Sequence, residues 1–323
     1  MKIRSVAAAL LLVVAPLSVP AIDLQGHRGA RGLAPENTLA GFDAALAVGV
    51  TTLELDIGIT RDGVVVVAHD LRLNPILTRD AQGRWLEAPG PAIASLTLAQ
   101  LQRYDVGRLK PGSEYAQRLP LQQPKDGERI PTLAALFERV AAAGDTRVRF
   151  SIETKLNPNE PDATPSPAVF ARALIDVVRA HRLESRVSVQ SFDWRTLREV
   201  RRRAPAIATV CVTARQSWLN NVDDPRWTAG LDVDNYADSV PLLVKAAGCD
   251  VWSPFFGDLE DDLDALTHAR SLGLKTIVWT VNQSADIERM LALGVDGIVS
   301  DHPERVRAAM AARGMELPAA TKR

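Results

Sequence analysis

The sequence predicts an α/β chain folded as a TIM-type (β/α)8 barrel with an insertion after the second strand region. Three observations carry that expectation. Short apolar runs recur at residues 24–27, 52–57, 148–152, 187–190, 208–212, 250–252, 276–279 and 297–300. Amphipathic stretches at residues 38–48, 168–181, 196–203, 263–272 and 285–293 separate many of them. The chemically unusual residues stand at the C-terminal ends of several different runs: His27, Glu54 with Asp56, Glu153 with Lys155, Trp279 and Asp301. Runs that are apolar throughout read as strands covered on both faces, and repeated strand–helix order implies right-handed parallel crossovers. A doubly wound open sheet gives the same alternation. The barrel is favoured because its strand C-termini share one mouth, where those residues would meet.

Taken in order, residues 1–21 begin Met1-Lys2-Ile3-Arg4, continue through an apolar run at 6–14 and end on the small residues Val19-Pro20-Ala21. That is the pattern of a secretory signal peptide cleaved after Ala21. Its apolar core is shorter than the roughly 20 residues a membrane-spanning helix needs. Residues 22–323 then form a single domain, soluble, exported, and periplasmic in a host with two membranes. In the first helical stretch Glu36-Asn37-Thr38 offers an N-terminal cap and Gly49 suits the end. This motif is read first as structural, with Glu36 and Asn37 also placed to brace the mouth.

Residues 51–59 are rich in β-branched and aliphatic side chains, so a strand is expected. Its period of two puts Glu54 and Asp56 on one face and Leu53, Leu55 and Ile57 on the other. Asp62-Gly63 is a turn signal, and the apolar residues 64–68 lead to His69-Asp70, so a hairpin returns His69 toward the two carboxylates. Residues 71–131 then break the alternation. Asn74-Pro75, Pro89-Gly90-Pro91, Pro111-Gly112, Pro124 and Asp126-Gly127 surround one short helix near 98–104. Such a long irregular segment reads as an insertion packed beside the mouth and shaping the substrate pocket.

The chain has 323 residues, 46% of them hydrophobic, enough for a large core. It carries 38 basic and 39 acidic residues, and removal of Lys2 and Arg4 with residues 1–21 leaves 36 basic residues against the same 39 acids. No basic excess points to nucleic acid and no basic amphipathic helix points to a membrane surface, so the expected partner is a small molecule. Cys211 and Cys249 fit neither a CxxC nor a zinc spacing; export permits a disulfide, and two buried free thiols fit equally well. His181, His268 and His302 suit surface positions, and Arg201-Arg202-Arg203 a solvated helix C-terminus.

His27-Arg28-Gly29, Pro35-Glu36-Asn37-Thr38, Glu54-Leu55-Asp56, His69-Asp70, Ile130-Pro131-Thr132-Leu133, Ile152-Glu153-Thr154-Lys155, Trp279-Thr280-Val281-Asn282 and Gly294-Val295-Asp296-Gly297-Ile298 occur in this order. Together they resemble the glycerophosphodiester phosphodiesterase family, of its periplasmic type, from Gly26 to about Pro303. The resemblance implies a metal-dependent hydrolase that converts glycerophosphodiesters such as glycerophosphocholine to glycerol 3-phosphate and an alcohol. It implies a divalent metal, Ca2+ or Mg2+, held by Glu54, Asp56 and Glu153, with His27 and His69 as the catalytic histidines. It places Arg28 and Lys155 against the phosphate.

The residues themselves fit that chemistry. Three carboxylates are hard oxygen ligands of the kind those cations take. Histidines titrate near neutrality and suit a general acid and base pair whose individual roles the sequence leaves open. Water and a hydroxyl of the substrate are both available nucleophiles. Trp279 is placed to wall the glycerol carbons or to fill the core, and Gln190 and Phe192 share that ambiguity. The alternative function is a lysophospholipase D or sphingomyelinase D type enzyme acting on a lipid substrate; a non-catalytic phosphate-ester binder fits the histidine and carboxylate set poorly.

Overall fold

The computed structural model describes residues 22–261 and 263–321. The signal-peptide expectation for residues 1–21 lies outside them. Among the described residues no helix is long and apolar enough to cross a membrane.

Among the described residues eleven strands follow in chain order: β1 (Asp23–Gly26), β2 (Thr52–Ile59), β3 (Val65–Val67), β4 (Arg149–Thr154), β5 (Val187–Ser191), β6 (Ala208–Thr213), β7 (Arg215–Gln216), β8 (Leu219–Asn220), β9 (Val251–Pro254), β10 (Lys275–Val278) and β11 (Gly297–Ser300). Strands β1, β2, β4, β5, β6, β9, β10 and β11 pair in parallel in that sequence, and β1 pairs with both β2 and β11, which closes the ring. This is the predicted barrel. Strand β3 turns back antiparallel on β2, with Ile57 opposite Val67, and β7 with β8 form a separate small hairpin.

Helices Leu39–Val48, Leu133–Ala142, Pro167–Ala180, Trp194–Arg203, Val240–Ala247, Leu263–Ser271, Ser284–Leu293 and Pro303–Ala312 cover the outside. Their boundaries have local causes. Thr38 accepts a hydrogen bond from Gly41 N at 3.1 Å, and Gly49, at φ 84°, closes the same helix by donating to the Ala45 and Leu46 carbonyls. Leu53, Leu55 and Ile57 join the large core between strands and helices, so Glu54 and Asp56 point into the barrel. The barrel interior is divided: polar at β2, β4 and β5, and apolar where Val210, Val251, Ile277 and Val299 cluster with Trp279.

The insertion has its own small core of Val66, Leu73, Ile93, Leu96, Leu101 and Ile130, seated on the outer side of β3. It contains the expected short helix, here Leu98–Leu101, and a second one, Glu114–Arg118, capped by Ser113, that its Pro- and Gly-rich composition concealed.

One open alternative is settled and one reading is corrected. Cys211 and Cys249 form a disulfide, with Cα atoms 5.9 Å apart, because β6 lies beside β9 and Cys249 shortly precedes β9. His302 is 4% exposed rather than a surface residue: the chain after β11 tucks beneath the loop after β1, where Gly32 N donates to the Asp301 carbonyl at 2.9 Å. His181 and His268 are half-buried, His268 beside the Ser239 hydroxyl.

Candidate active site

The site begins where β1 ends. A Cβ on Gly26 would stand 2.1 Å from the Gly29 carbonyl oxygen, so the chain can fold back on itself only with glycine there. Arg28 (φ 50°) and Gly29 (φ 88°) make the turn, and Gly29 packs against the backbone of Gly41 in the first helix. The turn aims His27 and Arg28 across the mouth. It is anchored by the Arg28 amide, which donates to Glu54 Oε2 at 2.8 Å.

Glu54 and Asp56 of β2 and Glu153 of β4 meet at the centre. All three are buried, and one oxygen from each lies within 4.8 Å of the others. Adjacent register explains this, since Asp56 pairs with Glu153 across β2 and β4. Burial and the Asp56 charge push the Glu54 carboxyl well above its usual range. Burial likewise pushes Glu153 up to about 7 against the pull of Lys155. Asp56 goes the other way: burial would raise it, but its neighbours His69, Arg28 and Lys155 hold it below the usual carboxylate range.

Cations surround this cluster. Lys155 Nζ lies 2.6 Å from Glu153 Oε1 and 3.6 Å from Asp56 Oδ1. Arg28 donates to Glu36 Oε1 at 2.6 Å, while its buried Nε has no hydrogen-bond partner and sits 3.3 Å from Asp56 Oδ2. Glu36 also accepts from the Tyr115 hydroxyl, and Asn37 Nδ2 donates to Asp56 Oδ2 at 2.9 Å. Within Glu36-Asn37-Thr38, Thr38 therefore acts as the cap while Glu36 and Asn37 brace the site, which reverses the structural emphasis placed on them.

The two histidines flank the carboxylates in matching ways. His27 Nδ1 is 2.6 Å from Asp301 Oδ1, leaving Nε2 facing the site, 4.0 Å from Glu54 Oε2. His69 Nδ1 is 2.7 Å from Asp70 Oδ1, and Asp70 accepts in turn from Asn74 Nδ2 at 2.7 Å. Both aspartates ionise easily. Burial opposes it, but His69 and Asn74 bring Asp70 down to about 2, and Arg31 and His27 hold Asp301 below the usual range. A carboxylate can only accept, so each histidine carries its proton on Nδ1 and presents Nε2 as the working nitrogen. Burial, reinforced by Arg31, lowers His27 to about 4; burial with Arg28 and Lys155 also lowers His69.

His27, Arg28, Glu54, His69, Asp70, Glu153 and Lys155 line one cavity of about 760 Å³. On one side the insertion contributes Leu71, Arg72, Leu73, Asn74, Pro75 and Pro89; on the other stand Phe192, Trp218, Leu219, Trp227 and Trp279. Trp279 is at the mouth rather than in the core, with its indole N–H donating to the Ser253 carbonyl at 3.0 Å. Gln190 reaches the centre, donating to Glu54 Oε1 at 2.8 Å.

The donor set fits a hard divalent cation. All three candidate ligands are carboxylate oxygens, and crowding them together helps to raise Glu54 and Glu153.

The Glycerophosphoryl diester phosphodiesterase family model matches residues 27–305. The chain belongs to that family. Curated relatives agree: the glycerophosphodiester phosphodiesterase of Caldanaerobacter subterraneus subsp. tengcongensis is 29% identical, covering 86% of this chain and 93% of the relative. That of Bacillus subtilis is 27% identical, covering 86% and 83%. A crystal structure from Silicibacter pomeroyi, named for the same activity, is 37% identical with a TM-score of 0.82 and covers 92% of this chain and 95% of its own. An Oleispira antarctica phosphodiesterase solved with the product sn-glycerol-3-phosphate has the same fold, with a TM-score of 0.66 at 22% identity, covering 91% and 97%. Glycerophosphodiester phosphodiesterase activity follows from this membership.

Every residue singled out from the sequence as a candidate of this family's site, His27, Arg28, Glu54, His69, Glu153, Lys155 and Trp279, lines the one cavity, and Asp56 sits directly beside it in the carboxylate cluster. Arg31, Tyr115 and Trp218 are additions that the sequence reading lacks. Arg31 carries a readable signal, a second arginine four residues beyond His27 in the same turn; Tyr115 and Trp218 lie in segments whose path the sequence does not dictate.

Proposed function

We propose that the chain hydrolyses glycerophosphodiesters, glycerophosphocholine among them, to glycerol 3-phosphate and an alcohol, with His27 and His69 sharing the proton transfers. The observation that carries this reading is the matched pair of histidines, each held at Nδ1 by an aspartate, on either side of three buried carboxylates. A phosphodiester resists attack because it is already anionic and its leaving alkoxide is a strong base. Arg28 Nε, a buried donor with no hydrogen-bond partner, and the Lys155 ammonium are placed to take its non-bridging oxygens. Glu54, Asp56 and Glu153 would hold calcium or magnesium, which when bound supplies Lewis-acid polarisation of the phosphoryl group.

One histidine removes a proton from the nucleophile at Nε2; the other delivers one to the departing oxygen. The insertion and the aromatic side of the cavity stand as walls to either side of the reacting groups. Export to an oxidising compartment, with cleavage after Ala21, is part of this reading, and the Cys211–Cys249 disulfide supports it.

The test is release of glycerol 3-phosphate from glycerophosphocholine by the purified, metal-stripped protein as calcium or magnesium is restored, with lysophosphatidylcholine in parallel. Metal-restored turnover of the former is expected; turnover of the lysolipid alone would move the enzyme to the lysophospholipase D class. His27→Ala and His69→Ala should each lose about 10² to 10⁴-fold in kcat. A nitrophenyl leaving group, which departs without protonation, should rescue only the variant lacking the acid. Equal rescue of both, or of neither, would contradict a divided pair.

A further inference from the structure

We propose that Trp218 and Trp279 form the subsite for the leaving alcohol and that it selects a quaternary ammonium substituent. This deepens the proposed function and rests on it. Trp218 sits at the turn of the β7–β8 hairpin and is 58% exposed, an unusual cost for so large an apolar ring. It stands at 88° to Trp279 with centroids 6.2 Å apart, and Phe255 packs edge-on against both, 5.2 Å from Trp218 and 5.6 Å from Trp279. Two indole rings at right angles are two walls of a corner, and both line the catalytic cavity.

The corner is built in advance. Arg215 at the base of the hairpin pairs with Asp223 at 2.8 Å and Asp238 at 2.7 Å, and Gln216 Nε2 donates to Asp258 at 2.6 Å. Its chemistry contrasts with the opposite wall. The insertion side offers Asp70, Arg72 and Asn74, polar groups suited to a substituent with free hydroxyls such as glycerol. The aromatic side offers the indole rings of Trp218 and Trp279 and, among the described residues, no polar side chain between them. Lys155 stands 5.7 Å from the Phe192 centroid and is turned to Glu153, 2.6 Å away. Aromatic rings that offer no hydrogen-bond partner favour a soft, weakly hydrated cation that donates no hydrogen bonds. A trimethylammonium group is that cation, and the assignment moves Trp279 from the glycerol to the other end of the substrate.

The test compares glycerophosphocholine with glycerophosphoglycerol, which share the glycerol end and differ only in the leaving alcohol. Trp218→Ala is expected to lower kcat/KM for glycerophosphocholine roughly tenfold more than for glycerophosphoglycerol, while Trp218→Phe keeps most of the preference. Equal loss on both substrates, or no loss, would overturn the assignment. Independently of turnover, choline should quench the tryptophan fluorescence of the wild-type protein, and 3,3-dimethylbutan-1-ol, its neutral isostere, should not. Equal quenching by the two would mean an apolar wall rather than a cation subsite. If the wild-type protein cleaves neither diester, the proposed function fails, and the choline measurement still decides the corner.

Discussion

Asp301 follows directly on the last barrel strand, yet its effect falls on the first. It accepts from His27 Nδ1, from Arg31 Nε at 2.5 Å and from Asn282 Nδ2 at 2.8 Å, which leaves its carboxylate fully engaged. As a positioning residue it keeps the His27 proton on Nδ1. An asparagine in its place would offer an amide that can donate to Nδ1 and so favours the opposite tautomer, with the His27 proton on Nε2. Asp301→Asn is therefore expected to lower kcat by about 10² to 10⁴-fold with little change in KM, measured by steady-state kinetics. The same carboxylate makes the fold acid-sensitive. Its native pKa is depressed, so the stability it contributes is complete above its unfolded value near 4 and is lost as pH falls toward the native one. Thermal melts from pH 6 to pH 3 should decline less steeply in Asp301→Asn than in wild type; parallel declines would contradict this.

At the scale of elements, the insertion walls the cavity and, through one side chain, also reaches the arginine proposed to take the phosphate. Tyr115, from the helix Glu114–Arg118, donates to Glu36 and accepts from Arg31 at 2.7 Å, and Glu36 positions Arg28. Hydrogen bonds to charged partners contribute about 1.5–3 kcal/mol each. Tyr115→Phe, which removes both, should weaken binding of glycerol 3-phosphate roughly tenfold and lower the free energy of unfolding by about 1.5–3 kcal/mol; titration calorimetry and urea unfolding check it. A second element-scale device is the disulfide, which closes a sequence separation of 38 residues between β6 and the approach to β9. Loop-closure entropy gives about 4 kcal/mol for such a loop, so reduction with dithiothreitol under partly denaturing conditions should lower the urea midpoint clearly. The difference between these elements and the barrel explains what was legible. Strands and helices repeat periodically, so β11 at Gly297–Ser300 and the helix Ser284–Leu293 follow from local pattern. Two of the three carboxylates were equally readable, since a period of two joins Glu54 to Asp56, whereas Glu153 stands on a separate strand that this period does not reach. The helix Glu114–Arg118, the Cys211–Cys249 bond and the Trp218 corner depend on contacts between distant segments that no local period encodes.

At the scale of the whole molecule, the barrel gathers His27, Arg28, Glu54, Asp56, His69, Glu153 and Lys155 from separate chain segments to one end, and several are held away from their ordinary charge state. Burial and mutual repulsion keep Glu153 protonated up to about pH 7, with Glu54 also raised well above its ordinary range. Ring closure fixes these strands in register, so the repulsion cannot relax by separation; it is relieved by a proton or by a cation. A divalent metal that binds only the folded chain adds about 2.7 kcal/mol of stability at 100 times its dissociation constant, which for a chain of this size raises the melting temperature by roughly 5 °C. Calcium or magnesium added to metal-stripped protein is expected to produce that rise, more strongly at pH 8 than at pH 6, because the carboxyls must lose their protons to bind. Glu153→Gln should remove the metal-dependent increment without abolishing the fold, measured by scanning calorimetry with and without cation. An increment that is the same at both pH values, or that survives in Glu153→Gln, would mean that the cation acts somewhere other than the carboxylate cluster.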